Sequence, residues 1–223
     1  MLLTLSNLKA LQTEIVPQLV GQFETDFSVK LTEECKTIYD VLGQIEKRLF
    51  QSYIRPTEEK LSSIIRNGIS SSKWPPTTER PTEVRPYVYE CLLLLVYIHT
   101  EVSTTTAPLT PQILSYLLER IVSSLLEAFR TRSKYNLASM MQATLDVEFF
   151  AQTLSQYNTD QASEITSQVY LELDRGNDRD LKNRLEVELP EMSATMKRLR
   201  EAARNEFACF KKQRSQKDRP NRT

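Results

Sequence analysis

Residues 74–102 read WPPTTERPTEVRPYVYECLLLLVYIHTEV, and this stretch decides the fold. Pro75, Pro76, Pro81 and Pro86 crowd its first half, and each denies helix to itself and disfavours it for its predecessor. From Cys91 to Ile98 there then runs a nearly unbroken apolar segment of eight residues. A membrane span needs about 20 such residues, so this run is less than half of one. With Pro86 in its first turn, the segment 87–103 reads as a helix that is apolar on most faces, as the central helix of a bundle is. The prolines make a stiff bend that sends this helix inward.

Working outward, apolar residues recur at helical spacing. Residues 2–27 carry Leu5, Leu8, Leu11, Ile15, Leu19 and Phe23, with Pro17 expected to kink or divide the helix. Residues 31–53 carry Leu31, Cys35, Ile38, Leu42, Ile45 and Leu49, a short heptad seam that calls for a partner helix. Pro56 should interrupt it, after which Leu61, Ile64, Ile65 and Ile69 continue a shorter helix with its C-cap near Gly68.

Residues 70–86 form the clearest non-helical segment, with Trp74 expected to pin it onto the bundle. Thr110-Pro111 reads as an N-cap followed by proline at the first helical position. The helix 111–130 then carries a wide stripe from Ile113 to Phe129, as a core-facing helix does. Asn136 caps a further helix through Tyr157, another covers 160–175, and Gly176-Asn177 breaks it. The last runs over 178–212, with a kink or restart at Pro190. The expected organisation is N-terminal helices over 1–69, a Pro/Ser-rich linker over 70–86, a helical bundle over 87–213 and a basic tail over 214–223.

Composition agrees with an all-α chain. Only four glycines occur in 223 residues, too few for the turns and phosphate loops of Rossmann-type folds. The charge sums to zero but is unevenly spread, since Lys197–Thr223 holds ten basic and three acidic residues. Two readings of that end stand side by side. It is a solvated final helix fraying into a tail, or it is drawn to an anionic surface. In the second case the contacts are Arg204, Lys211, Lys212, Arg214, Lys217 and Arg219.

No chemistry announces itself. His99 is the single histidine, which excludes a His-rich metal site and the HExxH motif. It sits in the greasiest helix and reads as structural. No two glycines lie close enough for a phosphate loop, and there is no GxSxG elbow. Glu33-Glu34 and Glu58-Glu59 fall near helix starts, where the dipole explains them. Cys35, Cys91 and Cys209 are odd in number and far apart, without a CxxC pair, which suits a reducing compartment and small core residues. No metal, cofactor, small-molecule substrate or nucleic-acid partner is expected.

Several stretches carry a family likeness. PTEVRPYVYECLLLLVYIHTEVSTTTAPL (81–109), YNLASMMQATLDVEFFAQTLSQY (135–157) and RLREAARNEFACFKKQR (198–214) resemble the C-terminal region of exocyst complex component two, in its fungal form. LGQIEKRLFQSYIRP (42–56) and SSSKWPPTTERP (70–81) resemble its preceding stretch. The resemblance implies stacked antiparallel helical bundles in an elongated rod and no catalytic residues. It implies a cytoplasmic protein, recruited peripherally to the plasma membrane and paired with other exocyst subunits in vesicle tethering. The alternative is a peripheral membrane module acting through the basic end on anionic phospholipid. Family members are several times longer, so the resemblance also implies a fragment or a truncated copy.

Overall fold

A computed structural model describes residues 1–71, 80–132, 135–175 and 179–211. Among these the chain is all helical, with no strand. The α-helices are α1 (Leu2–Ala10), α2 (Val16–Phe27), α3 (Thr32–Ser70), α4 (Pro86–Thr106), α5 (Thr110–Arg130), α6 (Leu137–Thr153), α7 (Asp160–Leu173) and α8 (Arg179–Ala202). The all-α expectation holds. Trp74 and the Gly176-Asn177 break lie outside the described residues.

Prolines act less disruptively than their chemistry suggests. Pro56 lies inside α3, a helix of 39 residues, and Pro190 lies inside α8. A proline within a helix costs roughly 3 kcal/mol. Ile54 on one side of Pro56, and Leu61 and Ile65 on the other, are buried to within 1% of complete. Each such side chain contributes about 1.5–3 kcal/mol, enough to carry the helix through. Pro17 behaves more as expected. A π-helical turn, Leu11–Ile15, separates α1 from α2 just ahead of it. The wider turn makes room where the ring would meet a carbonyl of the previous turn.

The chain divides into two compact units. The first comprises Met1–Lys60 and Thr100–Ile113. It buries Leu2, Leu5, Leu8, Ile54, Val102, Leu109 and Ile113. The Tyr53 hydroxyl donates to Glu101 at 3.1 Å, so Glu101 turns to α3. Ser28 closes α2 in the left-handed conformation (φ 53°), and the Leu31 N–H that follows donates to Glu24 at 2.8 Å. Thr110 does not cap α5. A 3-10 turn, Ala107–Leu109, leads directly into the helix and gives Thr110 helical dihedrals, whereas an N-cap needs extended ones.

The second unit comprises Leu61–His99 and Leu114–Thr223. Its core is drawn from Leu61, Ile65 and Ile69 of α3, Val88, Cys91, Leu92 and Leu95 of α4, Leu117, Ile121, Leu125 and Phe129 of α5, and Phe149 and Phe150 of α6. Asn136 caps α6 as its position suggested, accepting from the Ser139 N–H at 2.8 Å. Thr159 caps α7 by accepting from the Ala162 N–H at 3.1 Å. Gly68 is not a C-cap: α3 runs on to Ser70. The Arg132 guanidinium donates to the Ile69 carbonyl and so satisfies one of the acceptors at that helix end. Gly68 instead lets α4 approach, since a Cβ there would stand 2.5 Å from the Tyr87 Cβ.

The last helix ends ten residues before the expected Lys212, at Ala202. A turn and the 3-10 segment Ala208–Phe210 follow. The reason is aromatic packing. The bend seats Phe207 beside Tyr89 (6.1 Å between ring centroids) and Phe149 (6.3 Å), and Phe210 beside His99 (5.9 Å) and Tyr157 (6.2 Å). Such pairs add to the area that they bury.

Candidate interaction surfaces

The first unit leaves apolar side chains uncovered. Along α2 and the turn before it, Ile15, Leu19, Phe23 and Phe27 recur every four residues on one face, between 45% and 64% exposed. The rings of Phe23 and Phe27 meet in a tilted pair, 4.5 Å between centroids. On α3, Ile38, Val41 and Ile45 are 42–50% exposed. Ile38 and Ile45 belong to the heptad seam legible in the sequence. Leu42 and Leu49 of the same seam are half-buried. Apolar residues repeating at this interval with their faces open form an exposed hydrophobic stripe.

The basic end places its charges less uniformly. Arg204 is exposed in the turn after α8 and pairs with Glu201 at 3.1 Å. Lys211 is exposed, and its ammonium reaches the Arg204 carbonyl at 3.5 Å. Lys212, Arg214, Lys217 and Arg219 lie outside the described residues. The structure brings in two cations of the basic end that were not among the named contacts. Lys197 and Arg200 line the same cleft as Arg204 and Lys211, over Phe149, Phe207 and Phe210. A spacing of three to four residues along the last helix was the available signal.

His99, Cys91 and Cys209 are packed into the fold. His99 is half-buried against Phe210, and burial holds its pKa below the usual value. Burial pushes the Cys91 thiol up to about 12, far from a reactive thiolate. Cys209 is raised in the same way. Among the described residues no group of three or more His, Cys, Asp or Glu could hold a metal ion. Nor is any described helix long and apolar enough to cross a membrane.

One buried carboxylate was not anticipated. Asp146 is fully buried in α6, between Leu145 and Val147. Its two oxygens accept from the Arg85 N–H (3.0 Å), the Gln142 amide (2.9 Å) and the Tyr87 hydroxyl (2.9 Å). Gln142 also donates to the Glu83 carbonyl at 3.0 Å. Asp146 thus pins the segment entering α4 onto α6. On the outer side, Arg80 reaches Glu188 (2.8 Å) and Glu191 (3.0 Å), and Arg198 donates to the Thr82 carbonyl.

Burial raises the Asp146 pKa to about 6, although its three hydrogen bonds and the Arg85 charge pull it down. A proton held more tightly in the folded state stabilises it fully below the unfolded pKa, near 4. That contribution is lost as pH rises through about 6. The wild type should therefore lose about 3 kcal/mol relative to Asp146→Asn between roughly pH 4 and pH 7. Urea unfolding of both proteins across that window measures it. A constant difference would show that the carboxyl does not titrate there.

Comparison with known proteins gives these surfaces a context. The family model described as Exocyst complex component Sec5 matches residues 1–210. Exocyst complex component 2 of Homo sapiens is 25% identical over 161 residues, covering 71% of this chain and 17% of the human protein. Its Mus musculus counterpart is 23% identical over 164 residues, covering 73% of this chain and 18% of the mouse protein. The chain therefore spans less than a fifth of the length of these relatives. No solved structure matches it. With the family model running from the first helix to the last aromatic contact, this helical chain belongs to the Sec5 family of exocyst complex components.

Proposed function

We propose that the chain is a non-catalytic part of the exocyst, which tethers secretory vesicles to the plasma membrane before fusion. It contributes helical surfaces that dock on other exocyst subunits and requires no cofactor. It works in the cytoplasm and reaches the membrane peripherally, as part of the assembly. The observation that carries this reading is the open heptad face of α3 on a chain of the Sec5 family, with Ile38 and Ile45 each more than 40% exposed. Burying the exposed part of two such side chains against a partner contributes about 1–3 kcal/mol before the cost of association. The occupied state of His99, Cys91 and Asp146 supports a role in contact rather than turnover.

Size-resolved affinity purification of the tagged chain from cells tests the proposal. Co-elution with exocyst subunits in a large assembly is the expected result. Recovery as an isolated monomer with none of them would refute it.

A further inference from the structure

The cleft between α6 and the end of α8 has the features of a ligand site. Its volume is about 680 Å³. Phe149, Met196, Phe207 and Phe210 line its apolar part, and Lys197, Arg200, Arg204 and Lys211 its cationic part, with Glu201 as the one carboxylate. A second hollow of about 220 Å³ shares Gln152, Ser193 and Met196 with it and extends the trough along the same two helices to Leu189, which is 45% exposed.

We propose that this trough binds a short acidic peptide segment of a protein partner, with one large apolar side chain seated toward the phenylalanines and flanking carboxylates on the cationic rim. Charge is the first argument. In the larger hollow four cations face one carboxylate, and only Arg204 pairs with it. The extension adds Glu148, whose two oxygens accept from the Tyr170 hydroxyl (2.6 Å) and the Gln152 amide (3.0 Å). Arg200 meets the neutral Gln152 amide oxygen at 3.0 Å, and Lys211 meets a backbone carbonyl. The positive charge at the rim is therefore largely uncompensated, on a chain whose first 196 residues are acidic on balance. The residues that follow Lys211 include Lys212, Arg214, Lys217 and Arg219, so this chain's own end has the wrong sign to be the occupant.

Shape is the second argument. Phe207 and Phe210 are only 4% and 2% exposed, at the bottom of a concavity. A bilayer surface cannot follow the chain down to them, whereas a single protruding side chain can. The trough is also elongated, and the hydroxyl of Ser193 lies at the junction of its two parts, where it can meet a peptide backbone. An extended segment that combines pockets for side chains with polar contacts for its backbone is a recurring mode of peptide recognition. Opposite charge at the rim would speed the encounter and set its specificity. This inference does not rest on the tethering role, and either can stand without the other.

The test is a selection of displayed peptides of about twelve residues on the immobilised full chain, followed by affinity measurement on the winning synthetic peptide. The retained peptides should be acidic, with one or two Leu, Phe or Trp. Arg200→Glu/Arg204→Glu should weaken the winner about tenfold or more. Ser193→Trp, which fills the trough and keeps every charge, should weaken it as much. Lys36→Glu, at an exposed position of α3, should leave it unchanged. Retention of no peptide, retention without acidic bias, or indifference to Ser193→Trp would overturn the proposal. So would binding to vesicles of phosphatidylcholine and phosphatidylserine that is lost on charge reversal and kept in Ser193→Trp, which would make the surface a membrane contact.

Discussion

Replacing Gly68 by alanine is expected to destabilise the protein by about 2–3 kcal/mol, although the same change inside an ordinary helix stabilises by roughly 0.5–1 kcal/mol. The reversal of sign follows from one contact. An added Cβ would lie 2.5, 2.7 and 2.8 Å from Cβ, Cγ and Cδ1 of Tyr87. These atoms are the stem and near edge of the side chain rather than its flexible end. Tyr87 has no room to yield, since it is 3% exposed and its hydroxyl is held by Asp146 at 2.9 Å. The methyl must therefore be accommodated by moving α3 or α4. Gly21 and Gly43, where an added Cβ meets nothing within 4 Å, provide the controls and should gain stability as alanine. Urea unfolding of the three variants measures the effect. A Gly68→Ala protein as stable as the wild type would mean that the helices do not approach so closely.

The second large effect lies at Phe149. Its ring is fully buried, 5.5 Å from Tyr89 of α4 and 6.3 Å from Phe207 beyond α8. Phe149→Ala should cost about 3–5 kcal/mol through lost burial and the cavity left behind. That is comparable to the whole stability of many domains, so Phe149→Leu, expected to cost less, keeps the measurement possible if the alanine variant does not fold. Thermal unfolding followed by near-ultraviolet circular dichroism reports both the midpoint and the aromatic packing. A loss below about 1 kcal/mol in the alanine variant would show that the aromatic cluster does not hold α4, α6 and the end of the chain together.

Much of this architecture was legible in the residues. The stripe from Ile113 to Phe129 states its own period, and Asn136 states where the next helix begins. Both depend on local pattern, which a single sequence carries in full. Proline was harder to read. Pro56 has the same local chemistry as Pro17, yet α3 passes through one while the helix changes pitch before the other. What separates them is tertiary: Ile54, Leu61 and Ile65 are buried around Pro56, whereas Ile15, Leu19 and Phe23 near Pro17 are exposed.

Gly68 looked like a helix end because glycine commonly is one, and its true role needed Tyr87, 19 residues away, to be visible. Asp146 gave a signal of a kind, a carboxylate set between Leu145 and Val147, but its partners come from residues 85, 87 and 142. At the basic end, the sequence showed the charge while the bend after Ala202 assembled the cleft. That bend depends on Phe207 and Phe210 finding rings on α4 and α6, a match between distant elements that spacing cannot reveal.

We propose that this Sec5-family chain acts by helix contact through its open α3 face. Recovery of exocyst subunits with an Ile38→Glu/Ile45→Glu chain, set against the wild type at equal expression, tests it most directly. Both side chains are more than 40% exposed, so the isolated variant should unfold within about 0.5 kcal/mol of the wild type. The recovered subunits should fall about tenfold or more, because two carboxylates would stand where a partner helix buries apolar surface. Unchanged recovery from an equally stable variant would contradict the claim.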